Sequence, residues 1–164
     1  MSTLGSDAVE TYKWLGNKDQ NLYIGVMKMN APRRKNSFNP GMYRGLLDAL
    51  TQFENDPDVP CVVITGTGDT FTSGADLQEA TTLNLVREFM IRVIEYPKVL
   101  VAAVNGLAIG IGTTLLPHCD LVYASDNAAF WTPFTRIAII PEFCSSYTFP
   151  KVMVRWSWSF EHLS

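Results

Sequence analysis

Residues Val99–Asp120 read VLVAAVNGLAIGIGTTLLPHCD. The first six, Val99–Val104, are all apolar, the pattern of a strand buried on both faces in a parallel or mixed sheet. Asn105-Gly106 is a turn signal. Gly110 and Gly112 then flank Ile111, and a second apolar run covers Thr113 to Leu116. Glycines at this spacing let the backbone approach a neighbour closely. They also leave amides unpaired at the start of a short helix, where negative charge is favoured. The stretch therefore reads as a strand, a tight turn and a helix start suited to an anion or an oxyanion. On pattern alone a glycine pair after a strand is as a rule just a tight turn.

Working upstream, Cys61–Thr65 (CVVIT) predicts a second buried strand, feeding a Gly- and Thr-rich loop, Gly66–Ala75 (GTGDTFTSGA). A helix is expected over 79–94, with Leu85, Phe89, Met90 and Val93 on one face. Leu22–Met29 predicts a strand weakened by Gly25 and ended by Asn30-Ala31-Pro32. Arg33-Arg34-Lys35 is a compact basic triplet, either a solvated turn or a site for a ligand's phosphates. Asn39-Pro40 starts a helix, with Asn as cap and Pro at the first position. Met42, Leu46, Leu47, Leu50 and Phe53 follow helical spacing, and Asn55-Asp56-Pro57 stops it. Downstream, residues 120–124 predict a short strand, and an irregular segment begins near Ala128 and runs through Pro133 and Pro141. In the tail, VMVRWSWSFEHLS, Trp156, Trp158 and Phe160 alternate with polar residues, which predicts a strand. Alternating strands and helices place the chain in the α/β class, with right-handed crossovers.

The chain has 164 residues and 47% apolar composition, enough for one domain with a filled core. Lys and Arg total 13 against 16 Asp and Glu, a net charge of -3. That balance excludes the broad basic face that nucleic acid or a membrane surface requires. No apolar run reaches membrane-spanning length. The first residues carry neither an apolar signal core nor an Arg-rich amphipathic pattern, so no presequence is expected. Cys61, Cys119 and Cys144 are odd in number and in apolar surroundings, which reads as reduced thiols and not as a disulfide frame or zinc site. No Cys/His spacing supports a metal. Asp76 reads as a loop or helix cap, Asp120 as a partner for backbone amides, and His118 as a structural histidine. Ser145 and Ser146 lack the His and acid of a hydrolase triad, since His162 sits at the terminus.

Two blocks are specific enough to indicate a family. Val62–Leu77 (VVITGTGDTFTSGADL) and Pro97–Phe134, with the flanking APRRKNSFN, resemble the crotonase, or enoyl-CoA hydratase/isomerase, superfamily across most of residues 20–151. Thr132–Met153 (TPFTRIAIIPEFCSSYTFPKVM) is similar to the peroxisomal-type Δ3,Δ2-enoyl-CoA isomerases. The resemblance implies a crotonase-like α/β fold, a stacked ββα spiral, with a core over residues 1–153 and a divergent tail over 154–164. The family's oxyanion hole falls on the backbone N–H groups of Ala75 and Ile111. Its acyl-CoA contacts fall on Ser73, Gly74, Ala75, Asp76, Leu77 and Gly110, with Arg34 and Ser37 toward the adenine end. The two glutamates of the hydratases correspond to Thr114 and Phe134, neither of which exchanges a proton at neutral pH. One carboxylate remains, Glu142, at the position of the isomerases' single acid. By itself, a Glu after a proline reads as an exposed loop residue; the resemblance makes it the base. Ile139, Ile140 and Phe143 are expected to raise its proton affinity.

The implied activity is a shift of the 3-enoyl-CoA double bond to 2-trans-enoyl-CoA, on an acyl-CoA thioester and with no cofactor, since CoA belongs to the substrate. The alternative is an acyl-CoA-binding module with an impaired site. The implied compartment is the peroxisome, with cytosol or mitochondrion as alternatives. No nucleic acid or membrane is an expected partner; the full-length family forms homo-oligomers of trimer type. Two departures bear on this. Phe143 stands where the related isomerases have glycine, and its ring is expected to fill the acyl pocket or turn Glu142 away. The resemblance also stops near Met153, which reads as a truncated product lacking most of the C-terminal helical part, its trimer packing and any C-terminal address.

Overall fold

A computed structural model describes residues 8–76 and 83–160. The chain opens with β1 (Val9–Asn17), which pairs antiparallel with β2 (Leu22–Met29). Helix α1 (Pro40–Glu54) follows, then β3 (Cys61–Gly66) and the short β4 (Thr70–Thr72). Next come α2 (Leu83–Ile94), β5 (Val99–Val104), the short β6 (Leu107–Ile109) and a single helical turn, α3 (Ile111–Thr114). Strands β7 (Leu121–Ala124) and β8 (Phe130–Trp131) lead to α4 (Ser145–Phe160).

The long strands make one sheet in the order β1-β2-β3-β5-β7, and β4, β6 and β8 make a second. All pairings except β1/β2 are parallel. Strands β3, β5 and β7 thus each hand over to a short strand in the other sheet before the chain turns into a helix. In the first unit the short strand is reduced to one bridge, Phe38 to Ala75. Repeated four times, this is the stacked ββα spiral. It repeats in space without repeating in sequence, because only the alternation of apolar runs and turns is shared.

The pattern of β3 and β5 explains their place. Val62 and Ile64 align with Leu100 and Ala102 on the face that packs against the helices, and all four are buried. The expectation of burial on both faces holds only for the middle of β5. Val99 is 45% exposed, and Cys61, Val63 and Thr65 on β3 are half-buried, because helices cover one face of the sheet only. Helix α1 starts where expected: the Met42 N–H donates to Asn39 Oδ1 at 2.9 Å, and Pro40 takes the first turn. Met42, Leu46, Leu50 and Phe53 are fully buried on its inner face, each stabilising the fold by about 1.5–3 kcal/mol. Gly25 is required here, since a Cβ on it would lie 2.8 Å from the Phe53 ring. Lys98, which the sequence did not single out, donates to the carbonyls of Phe53, Asp56 and Val59 at 2.6–2.7 Å. A cation there meets the negative end of α1.

Two expectations change. Val9–Asn17 form a strand that their mixed composition hides, because β1 is an edge strand with little burial. The expected strand around Trp156–Phe160 is instead the continuation of α4. Extending a helix already begun at Ser145 gains one hydrogen bond per residue fixed, whereas a strand there would need an edge to pair with. The predicted helix over 79–94 is present from Leu83, residues 79–82 lying outside the described residues. Among the described residues, no helix is long and apolar enough to cross a membrane.

The two sheets touch through bare backbone. A Cβ on Gly106 would lie 2.0 Å from the Asp69 carbonyl oxygen, and one on Gly66 2.5 Å from that of Thr70. Backbone cannot yield as a side-chain tip can. Gly106→Ala is therefore expected to cost about 1–3 kcal/mol, read as a fall of several degrees in Tm by thermal denaturation.

Candidate active site

The loop after β4 is held from below by the segment before α1. The Phe38 N–H donates to the Gly74 carbonyl at 2.9 Å, and the Asp76 N–H donates to the Phe38 carbonyl at 3.0 Å. These two bonds flank Ala75 and leave its own N–H out of the ladder. Thr72 Oγ1 accepts from the Gly74 N–H at 3.1 Å and donates to the Asn36 carbonyl at 2.7 Å. Gly74 sits at φ +92°, open to glycine at little cost, and a Cβ there would press the Ile109 carbonyl at 3.0 Å.

The next rung of the spiral supplies Gly110 and Ile111. Gly110 has φ +53° and ψ -117°, and its N–H donates to the Trp131 carbonyl at 2.8 Å. Its own carbonyl accepts from the Thr113 and Thr114 N–H groups. The Ile111 N–H lies in the first turn of α3, where no carbonyl of the helix reaches it. The Ile111 side chain is wholly buried, so it anchors the turn while its amide is set by backbone geometry. A Cβ on Gly112 would overlap Thr72 Cγ2 at 2.2 Å, which keeps the two rungs in contact.

Glu142 approaches from the other side, on the segment between β8 and α4. Its Oε1 lies 3.9 Å from the point where a Cβ on Gly110 would stand. Between them is a cleft of about 310 Å³. Ser73, Gly74, Ala75, Ile109 and Gly110 line it, together with Trp131, Pro133, Phe134, Arg136, Ile137, Ile139 and Glu142. The Arg136 guanidinium stacks over the Trp131 ring, 5.7 Å from its centroid. Burial pushes the Glu142 carboxyl above the ordinary glutamate value. The Tyr43 phenol, fully buried in α1, is also pushed up, first by burial and then by the Glu142 charge.

The sequence profile of the enoyl-CoA hydratase/isomerase family matches residues 19–155. The chain belongs to the enoyl-CoA hydratase/isomerase family. It is 43% identical over 144 residues to enoyl-CoA delta isomerase 2 of Homo sapiens, covering 79% of this chain and 36% of that protein. It is 43% identical over 143 residues to enoyl-CoA delta isomerase 3, peroxisomal, of Mus musculus, covering 79% and 45%. The crystal structure of an enoyl-CoA hydratase/isomerase from Pseudoalteromonas atlantica T6c superposes with a TM-score of 0.73 at 37% identity, over 85% of this chain and 56% of that one. The chain spans less than half the length of these two curated relatives.

Within this enoyl-CoA hydratase/isomerase fold, five of the expected residues (Ser73, Gly74, Ala75, Gly110 and Glu142) line one cleft, with Ile111 directly behind Gly110. Asp76 follows Ala75 on the same loop; Leu77 lies outside the described residues. Arg34 is elsewhere, on an exposed, shallower cleft with Asn30, Ala31, Pro32 and Arg33. Ser37 lies between the two, half-buried. The two segments are tied together, since the Ser73 N–H donates to the Lys35 carbonyl at 2.9 Å. Phe134 lines the cleft, and Thr114 is buried, its hydroxyl directed at the Ile111 carbonyl. Asp120 takes the Leu100 N–H at 2.8 Å, the backbone role expected of it. Among the described residues, no three His, Cys, Asp or Glu side chains converge as metal ligands.

The expectations around Glu142 need two corrections. Ile140 is 84% exposed and shields nothing. Phe143 neither fills the cleft nor turns Glu142 away. Its ring points into the core, 4% exposed, against His118 and Phe89. The backbone adapts instead: Phe143 has φ +52° and Cys144 φ +56°. Asn36 was missed. It is fully buried; its amide donates to the Thr67 and Thr70 carbonyls, and its Oδ1 accepts from the Ala31 N–H. Its φ of +52° is the only trace sequence could have offered, Asn being tolerant of that region.

A carboxyl whose folded-state proton affinity is raised favours the fold below its unfolded value, about 4.3, and loses that contribution as pH rises through the folded value. At pH 7 the Glu142 carboxylate is thus a stability cost. Glu142→Gln should melt above the parent chain at pH 7, and the gap should close as pH falls toward about 4, followed by calorimetry across that range.

Proposed function

We propose that the cleft shifts the double bond of a 3-enoyl-CoA to give 2-trans-enoyl-CoA, with Glu142 as the single base. The observation that carries this reading is the placement of one partly buried carboxylate, with raised proton affinity, across an apolar cleft from the Gly74-Ala75 and Gly110-Ile111 backbone turns. The Glu142 carboxylate takes a proton from C2. The electron pair moves through the C3–C4 double bond and the thioester carbonyl as a dienolate. The proton then returns at C4 and the C2–C3 double bond forms. Nothing is oxidised, and no co-reactant is consumed.

The Ala75 and Ile111 amides would hold the thioester oxygen as it gains charge. Preorganised donors of this kind stabilise such a transition state by a few kcal/mol in a site that excludes water. Trp131, Pro133, Phe134, Ile137 and Ile139 offer the acyl chain an apolar wall. Ser73, Gly74, Asp76 and Leu77 would follow the thioester arm, and Arg34 and Ser37 would lie toward the nucleotide end. Hydration by a two-glutamate route is disfavoured, since Phe134 and Thr114 occupy those positions. Two relatives named as delta isomerases support the same choice. We place the activity in fatty-acid β-oxidation and, from the one relative named as peroxisomal, in the peroxisome.

The test is the rise in ultraviolet absorbance of the conjugated thioester from trans-3-hexenoyl-CoA. Loss of the general base in Glu142→Gln should lower kcat by roughly 10²–10⁴-fold. Turnover unchanged in Glu142→Gln would overturn the assignment. Binding of acyl-CoA without turnover in the parent chain would favour an acyl-CoA-binding module instead.

A further inference from the structure

We propose that His118 is a positioning residue for Glu142, a clasp that holds the strained turn from which the carboxylate projects; this rests on Glu142 being the working carboxylate. His118 Nε2 lies 2.8 Å from the Phe143 carbonyl oxygen. A carbonyl only accepts, so Nε2 carries the proton and donates. The imidazole also stacks on the Phe143 ring, with centroids 4.4 Å apart and planes at 21°. One side chain therefore holds both the ring and the peptide of the residue next to Glu142.

That residue needs holding. Phe143 and Cys144 both lie in the left-handed region, at φ +52° and +56°, which is sterically costly for a residue with a Cβ. Such strain persists only where the surroundings over-determine it. Here the surroundings are the His118 contacts, the Phe89 edge on the Phe143 ring at 6.3 Å, and the Ser145 N–H closing the turn on the Glu142 carbonyl at 2.9 Å. Without the hydrogen bond, relaxation of Phe143 to negative φ would rotate the 142–143 peptide and move the carboxylate away from Gly110.

The position of His118 also gives the clasp a second consequence. It ends the short helical segment that begins at Ile111, with the Leu115 N–H on the Ile111 carbonyl and the His118 N–H on the Leu115 carbonyl, at 2.9 and 3.0 Å. One buried segment thus carries an amide of the cleft at one end and the support of the carboxylate at the other. Their spacing is set by a single rigid piece of backbone.

The experiment compares His118→Leu, His118→Gln, Phe143→Gly and the double variant His118→Leu/Phe143→Gly in the full chain. Two readouts are used: kcat and KM on trans-3-hexenoyl-CoA, and the carbon-13 carboxyl titration of Glu142. In His118→Leu, kcat should fall roughly 10–100-fold with KM within about threefold, and the Glu142 titration should move down toward that of an exposed carboxylate. His118→Gln, which keeps a donor, should recover most of both. The double variant should also recover, because glycine adopts the turn without a clasp. A double variant worse than His118→Leu would show that the histidine only fills space and would overturn the proposal. So would a Glu142 titration unmoved in His118→Leu. If His118→Leu does not fold, His118→Phe keeps the stack and removes the donor, and the same criteria apply. The titration needs no turnover. Full activity in Glu142→Gln would sink the isomerase reading, whereas loss of activity there with normal kcat in His118→Leu would sink the clasp.

Discussion

Successive rungs of the spiral meet at van der Waals contact between backbones, and the rest of the structure depends on that contact. Gly106 and Gly112 stand where any Cβ would overlap the neighbouring rung, 2.0 Å from the Asp69 carbonyl oxygen and 2.2 Å from Thr72 Cγ2. The rungs stay close enough for β4, β6 and β8 to pair directly. The closeness has a chemical result. Ala75 on one rung and Gly110 on the next come to line a common cleft, and the two amides proposed to act there belong to these turns. Two separate loops placed at the surface could not hold two such amides in register without paying for it in conformational entropy.

The electrostatics of the cleft follow from the same arrangement. Backbone amides bring partial positive charge without a counter-ion or a flexible side chain, so in the proposed reaction they would need no reorganisation as an oxyanion forms. The carboxylate in this cleft is partly desolvated by its burial, and apolar Trp131, Phe134 and Ile139 share the lining with it. Burial then raises its proton affinity, at some expense in stability at neutral pH. The buried Tyr43 phenol, pushed up first by burial, also feels the Glu142 charge.

The turn after Glu142 shows how one bulky residue can be accommodated. Phe143 occupies a conformation natural to glycine, yet its ring is buried against His118 and Phe89 instead of standing in the cleft. Apolar burial worth about 1.5–3 kcal/mol offsets a backbone penalty of similar size. The cleft stays open, and within the turn Phe143 and Cys144 carry the strain.

Much of this was legible in the residues. The apolar runs at Cys61–Thr65 and Val99–Val104, the Asn39-Pro40 helix start and the Asn105-Gly106 turn determine local structure by burial, capping and sterics, and each stands where periodicity places it. The resemblance carried by Val62–Leu77, Pro97–Phe134 and Thr132–Met153 named Ser73, Gly74, Ala75, Gly110 and Glu142, and these five line one cleft. Local rules do not reach further. The reduced first rung at Phe38, the Lys98 contacts with three carbonyls and the buried Asn36 amide depend on groups tens of residues apart. The tail's alternation predicted a strand, but extending α4 required no partner. Sequence alone determined the strands β2, β3, β5 and β7, the turns and the candidate groups; the edge strand β1, the inward turn of Phe143 and its hold by His118 were decided by tertiary structure. A side chain's direction depends on which neighbours fill the space around it, and those neighbours are set only when the rungs stack.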